Sequence, residues 1–241
     1  MNECRTKNRQ HALLAPVLAS AAILAGCAGP MANQTTDRGC LDADARLGTL
    51  LQRLEATQSA PDGCASEIDA MDCRRLPATI EQLSVACPSH IPSLLANAVL
   101  AYDEGRMALA QQYLDALFST RPAEPAAAVL RTRIALQGGD IPFALRFTAD
   151  QITLSPAHAG LREARASTLF LAGRFEKATA ELAIAERLGA PAWRVAYNRG
   201  LIAERMDNAA EAARQFEAAL VARPGWKPAA DRLQALRARR M

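Results

Sequence analysis

WRVAYNRGLIAERMDNAAEAARQFEAALVARPGW, residues 193–226, is one copy of a unit that the preceding sequence repeats in phase. With Ile91 as position 1, a 34-residue period runs through 91–124, 125–158, 159–192 and 193–226 without gap or insertion. Position 20 is alanine in every copy: Ala110, Ala144, Ala178 and Ala212. Position 15 is Gly105, Gly139 and Gly173, then Asp207. Position 32 is Pro122, Pro156 and Pro224, with Pro191 one place late in the third copy. Position 8 is Ala98, Thr132, Ala166 and Gly200, and position 24 is Leu114, Thr148, Leu182 and Phe216.

Self-similarity at such a period marks a stack of supersecondary units, none of which buries its apolar face alone. The spacing predicts a first helix over about positions 1 to 14, ended by a glycine able to adopt the left-handed conformation. A second helix covers about positions 17 to 30 and stops before the proline at 32. Small residues at 8 and 20 let the two antiparallel helices approach closely. The second copy fits least well, because Thr148 and Gln151 stand where apolar or small residues are usual.

These constants resemble the tetratricopeptide repeat (TPR), which uses 34 residues, small side chains at 8 and 20 and proline at 32. The resemblance implies an all-α solenoid that binds other proteins in a groove lined by positions 2, 5, 9, 12 and 13. Carried over residue by residue, that rule gives Leu95, Val99, Tyr102 and Asp103 in the first copy. It gives Val129, Arg133, Leu136 and Gln137 in the second, then Glu163, Ser167, Phe170 and Leu171 in the third. The fourth supplies Arg194, Tyr197, Leu201, Glu204 and Arg205. Arginine and tyrosine are enriched at interface hot spots, so Tyr102, Asp103, Arg133, Gln137, Phe170, Arg194, Tyr197, Glu204 and Arg205 form the candidate partner-binding set. Some TPR domains clamp a terminal carboxylate with lysine at 5 and asparagine at 6 and 9; here only Asn198 matches.

The flanks read differently. Residues 227–241 form an amphipathic segment with Leu233 and Leu236 on one side and arginines on the other, a cap for the open end of a solenoid. Residues 40–90 hold Cys40, Cys64, Cys73 and Cys87. Leu41 to about Gln58 reads as one helix and Ala78 to Ala86 as another, and Pro88 sits at position 32 of the preceding frame, as in a degenerate repeat. An antiparallel hairpin of these helices brings Cys40 to Cys87 and Cys64 to Cys73. Joining Cys40 to Cys64 instead would bridge roughly 25 Å of helix, far beyond the Cα separation of about 7 Å that a disulfide allows. The cysteine spacings lack CxxC, so neither a zinc site nor a redox motif is expected.

Residues 1–26 read as a signal peptide: Arg5, Lys7 and Arg9 precede an apolar run from Ala12 to Ala25. That run is shorter than the roughly 20 residues a bilayer-spanning helix needs. Leu24-Ala25-Gly26-Cys27 resembles the bacterial lipobox, which implies cleavage before Cys27 and acylation of its sulfur with chains such as palmitate. Ala28 follows where an inner-membrane retention signal would place aspartate, so the resemblance implies delivery to the outer membrane, facing the periplasm. Residues 27–39 lack periodicity and read as a lipidated tether.

The whole chain of 241 residues carries a formal charge of +3. Removing residues 1–26 takes away Arg5, Lys7, Arg9 and Glu3, leaving +1. A nearly neutral chain has no electrostatic footprint for nucleic acid. No phosphate loop, GxSxG, HExxH or paired carboxylate motif occurs. Glu163 and Glu181 read as ordinary surface residues, and His90 and His158 fall at position 34 in turns between repeats. The sequence therefore leads to the expectation of a lipid-anchored adaptor for protein partners in a cell-envelope assembly, with no catalytic residue, metal or cofactor. A pilotin-like assembly factor for an outer-membrane pilus or secretion component is the alternative.

Overall fold

The computed structural model describes residues 40–59, 64 and 67–238. Residues 1–39, which hold the expected signal segment, Cys27 and the expected tether, lie outside the described residues. Eleven helices and no strand occur among the described residues: α1 (Ala43–Ser59), α2 (Glu67–Ala86), α3 (Ile91–Asp103), α4 (Met107–Thr120), α5 (Pro125–Gln137), α6 (Ile141–Leu154), α7 (Ala159–Leu171), α8 (Phe175–Arg187), α9 (Ala192–Arg205), α10 (Ala209–Ala222) and α11 (Lys227–Ala238). The chain is an all-α TPR solenoid in which α3 to α10 pair as four helical hairpins.

Local chemistry explains the boundaries. Gly105, Gly139 and Gly173 sit at φ of 75°, 76° and 71°, and Asp207 takes the same place at 57°. Each turn closes the first helix with a six-to-one bond, such as Arg106 N–H to the Ala101 carbonyl at 2.8 Å and Asn208 N–H to that of Ala203 at 2.9 Å, which satisfies otherwise orphaned carbonyls. The second helices of repeats 2 and 4 are started by Asp140 and Asn208, whose side chains accept from Phe143 N–H and Glu211 N–H. His90 and His158 act as N-caps too, accepting through Nδ1 from Ser93 N–H at 3.3 Å and Leu161 N–H at 3.2 Å. What the sequence shows as turn histidines are thus helix starters.

Packing within each hairpin is a match of sizes. Ala110, Ala144, Ala178 and Ala212 are fully buried at position 20. Positions 8 and 24 compensate one another across the hairpin: Ala98 with Leu114, Ala166 with Leu182, and Gly200 with Phe216. A methyl on Gly200 would stand 2.5 Å from the Phe216 ring, so that ring fits only because position 8 has no side chain. In the second repeat both positions are threonine, buried and satisfied by their own helices. Thr132 and Thr148 donate to the Ala128 and Ala144 carbonyls at 2.8 and 2.7 Å. Gln151 donates to the Pro122 carbonyl at 3.2 Å. Its Oε1 is buried without a partner among the described residues, but the two threonines each have one, and buried polar groups so satisfied are tolerated.

The N-terminal segment is a helical hairpin stapled by disulfides. Cys40 and Cys87 join the start of α1 to the end of α2, with Cα atoms 5.8 Å apart. Cys64 and Cys73 are also joined, 5.9 Å apart. One expectation is corrected: α2 begins at Glu67, not Ala78, so Cys73 lies inside the helix rather than before it. Pro77 is accommodated within α2 at the loss of one backbone hydrogen bond. Leu47, Leu54, Leu76, Ile80 and Leu83 form the hairpin core. Against the first repeat, Asn97 donates to the Ile80 carbonyl at 3.1 Å and to Ser84 Oγ at 2.9 Å, all buried. At the other end α11 lays Leu233 and Leu236 on Ala203, Ala212 and Phe216.

Candidate functional site, a groove along the first helices

The first helices of repeats 2, 3 and 4 line one continuous face. Its central hollow, of about 430 Å³, lies among α5, α7 and α9. Val129, Leu136 and Leu171 supply apolar walls, and Gly160, Ala164 and Ser167 keep it open with short side chains. The rim carries Arg133, Gln137, the Glu163–Arg194 pair and Asn198. A smaller hollow beside it is bounded by Phe170, Leu201 and Asn198. Beyond that, Phe170, Leu201, Glu204, Arg205, Asp207 and Arg232 enclose about 580 Å³.

The structure sorts the sequence-derived set. Arg133, Gln137 and Arg194 line the central hollow, and Phe170, Glu204 and Arg205 line the far one. Tyr102 packs on the core of the first repeat, and the Arg133 guanidinium stands 5.7 Å over its ring. Asp103 is exposed at the end of α3 and does not line the central hollow. Tyr197 turns to aromatic packing, 5.6 Å from Phe216 and 4.6 Å from Trp226 between ring centres. Its role is to hold α9 against α10 and the turn before α11. Among the lining residues that escaped the groove rule are Asn198 and Ala164 at position 6, and Arg232 on the capping helix. Position 6 lies one helical turn from positions 2 and 9, so the 3.6-residue periodicity is the signal that would have found the first two.

Glu163 and Glu181 are corrected as well. Neither is an ordinary surface carboxylate: their side chains are 12% and 15% exposed. Glu181 accepts from Arg162 at 3.1 Å and Arg165 at 3.2 Å, and Arg165 also donates to the Leu145 carbonyl. That network ties α8 to α7 and α6. Glu163 faces the groove. Arg194 Nη2 donates to its Oε1 at 3.3 Å, while Nε stands 3.0 Å from Oε2 without aiming its hydrogen there. Burial raises the Glu163 carboxyl above the ordinary glutamate value, against the opposing pull of Arg194. Between the N-terminal hairpin and the first repeat, burial and a hydrogen bond to Glu81 push the Tyr113 hydroxyl up to about 12.

Among the described residues, no three His, Cys, Asp or Glu side chains gather as a metal site requires. No described helix is long and apolar enough to cross a membrane. The arrangement suits non-covalent recognition: apolar sockets for side chains, a few fixed polar groups and, at the rim, Arg133, which makes no ion pair among the described residues.

Paired helices stacked side by side, with the first helices of repeats 2 to 4 contributing to one groove, define the TPR solenoid class. No family profile matches the chain, and no curated protein matches it in sequence. Solved structures match in fold. A TPR protein of Parabacteroides merdae aligns with a TM-score of 0.60 at 19% identity, covering 83% of this chain and 82% of its own. A TPR protein of Thermus thermophilus aligns at 0.63 and 17% identity, over 78% of this chain and 98% of its own. The pilF protein of Pseudomonas aeruginosa aligns at 0.55 and 18% identity, over 61% and 67%. At these identities the likeness shows the fold.

Proposed function

We propose that this chain is a membrane-tethered adaptor that holds a protein partner in the groove of α5, α7 and α9, on the periplasmic side of the cell envelope. The observation that carries the binding reading is the central hollow, open to solvent and bounded by apolar walls, with Arg133 and Asn198 at its rim. Solenoids of stacked helical repeats use such faces for partners. Support for the tether comes from Leu24-Ala25-Gly26-Cys27, and support for an outer-membrane address from Ala28. Acylation adds about 0.8 kcal/mol of membrane affinity per buried methylene, so the lipid would anchor an otherwise soluble solenoid.

The test is co-purification from envelope extracts. Arg133→Ala, Gln137→Ala and Asn198→Ala together remove rim contacts without touching the hairpin cores. Loss of specific partners in this variant is expected, and unchanged co-purification would remove the groove from the account. The same lipobox favours a second reading, in which the lipid delivers a pilus or secretion component to the outer membrane. There Cys27→Ser mislocalises the client along with this protein, whereas an adaptor variant leaves the client in place.

A further inference from the structure

The charges around the central hollow carry the reading of the groove one step further, to the chemistry of its occupant. We propose that the groove takes an acidic segment of another protein, with one bulky apolar side chain in the hollow and a flanking carboxylate on Arg133; this rests on the groove being the binding face. Three charged side chains line the hollow: Arg133, Glu163 and Arg194. Glu163 and Arg194 are engaged with one another at 3.0 and 3.3 Å. Arg133 is exposed and makes no ion pair among the described residues; its guanidinium stands 5.7 Å from the centre of the Tyr102 ring.

The hollow thus presents one cation without a counterpart and no carboxylate free to meet a cation. A basic ligand would have to separate Glu163 from Arg194 inside a half-buried wall, where desolvation makes a stranded charge costly. An acidic ligand meets Arg133 with nothing to displace. The far hollow selects neither sign: Arg205 and Asp207 both line it, and Arg232 pairs with Glu204 at 3.2 Å. Leu171, half exposed at the edge of the central hollow, and the short side chains of Gly160 and Ala164 set its other requirement, an apolar side chain of leucine or phenylalanine size.

Two short synthetic peptides test this, identical except that the residues flanking a central leucine are glutamate in one and lysine in the other. Binding is read by fluorescence anisotropy and by amide shifts of the oxidised protein. The glutamate peptide should bind about fivefold more tightly, shifting amides of α5 and α7, and Arg133→Glu should reverse that order. Ala164→Leu should weaken both peptides equally while circular dichroism stays unchanged; if that variant does not fold, the reversal at Arg133 carries the test alone. Equal affinities for the two peptides at the groove would overturn the acidic assignment and leave the groove as the binding face. The assignment falls equally if the lysine peptide is preferred, if Arg133→Glu leaves the order intact, or if neither peptide binds. The co-purification experiment then judges the groove independently.

Discussion

The N-terminal hairpin and the four repeats reach similar helix pairs by different means. In residues 91–226 every hairpin repeats the same solution, with alanine at position 20, a left-handed residue at 15 and matched sizes at 8 and 24. Each repeat shares core clusters with its neighbours, so a local defect is supported from both sides. Among the described residues the hairpin of α1 and α2 has a neighbour on one side only, and its core is a handful of leucines and an isoleucine. Two disulfides supply what the missing neighbour would. Periodicity holds one region together, and covalent bonds hold the other.

The largest effect that would separate the two regions is loss of the staples. Replacing Cys40 and Cys87 by serine releases a loop of 47 residues, worth about 4 kcal/mol in chain entropy. The Cys64–Cys73 pair closes only nine, worth about 2.5 kcal/mol on the same basis. Hydrogen exchange should show α1 and α2 opening in the first variant while α5 to α10 keep their protection. Uniform loss of protection would mean the hairpin is not a separable cap.

Within the repeats the corresponding stress is steric. Gly200→Ala forces a methyl against the buried Phe216 ring and should cost about 1 to 2 kcal/mol net in urea unfolding. Adding Phe216→Leu recreates the Ala98–Leu114 pair of the first repeat and should recover most of the loss. No recovery would refute size matching as the organising rule.

Smaller effects sharpen the account in the opposite direction. Asp207 holds a conformation that glycine holds in the other three repeats. Asp207→Gly should therefore raise stability by about 0.5 to 1 kcal/mol, read as a higher melting temperature. The smallest effect concerns Glu163. Its carboxyl is raised by burial, so the folded protein holds that proton more tightly than the unfolded chain does. The resulting stabilisation is complete below the unfolded value and is lost as pH rises through the folded one. Glu163→Gln should flatten that part of the stability profile across the acidic range; an unchanged slope would contradict it.

The same contrast explains what the sequence could and could not disclose. The solenoid was legible because its constants recur, and a glycine at position 15 of three successive units has only one economical use. The start of α2 was not, because nothing repeats it and Pro77 looks like a boundary when read alone. At the groove, single-position rules located Arg133, Gln137 and Arg194 at the central hollow. They left out Asn198 and Ala164 and said nothing of the pairing that engages Glu163. Tyr197 illustrates the limit from the other side: its position in the repeat says groove, but the rings of Phe216 and Trp226 beside it hold it in packing. Which side chains are already occupied by neighbours is a property of the assembled helices.

The central claim is that partners enter along α5, α7 and α9 rather than on the opposite helices. A photo-crosslinking residue placed in living cells at Ser167, in the hollow, and separately at Val221, 83% exposed on α10, tests it most directly. Discrete adducts from position 167 and none from position 221 are predicted. Adducts from position 221 alone would contradict the account.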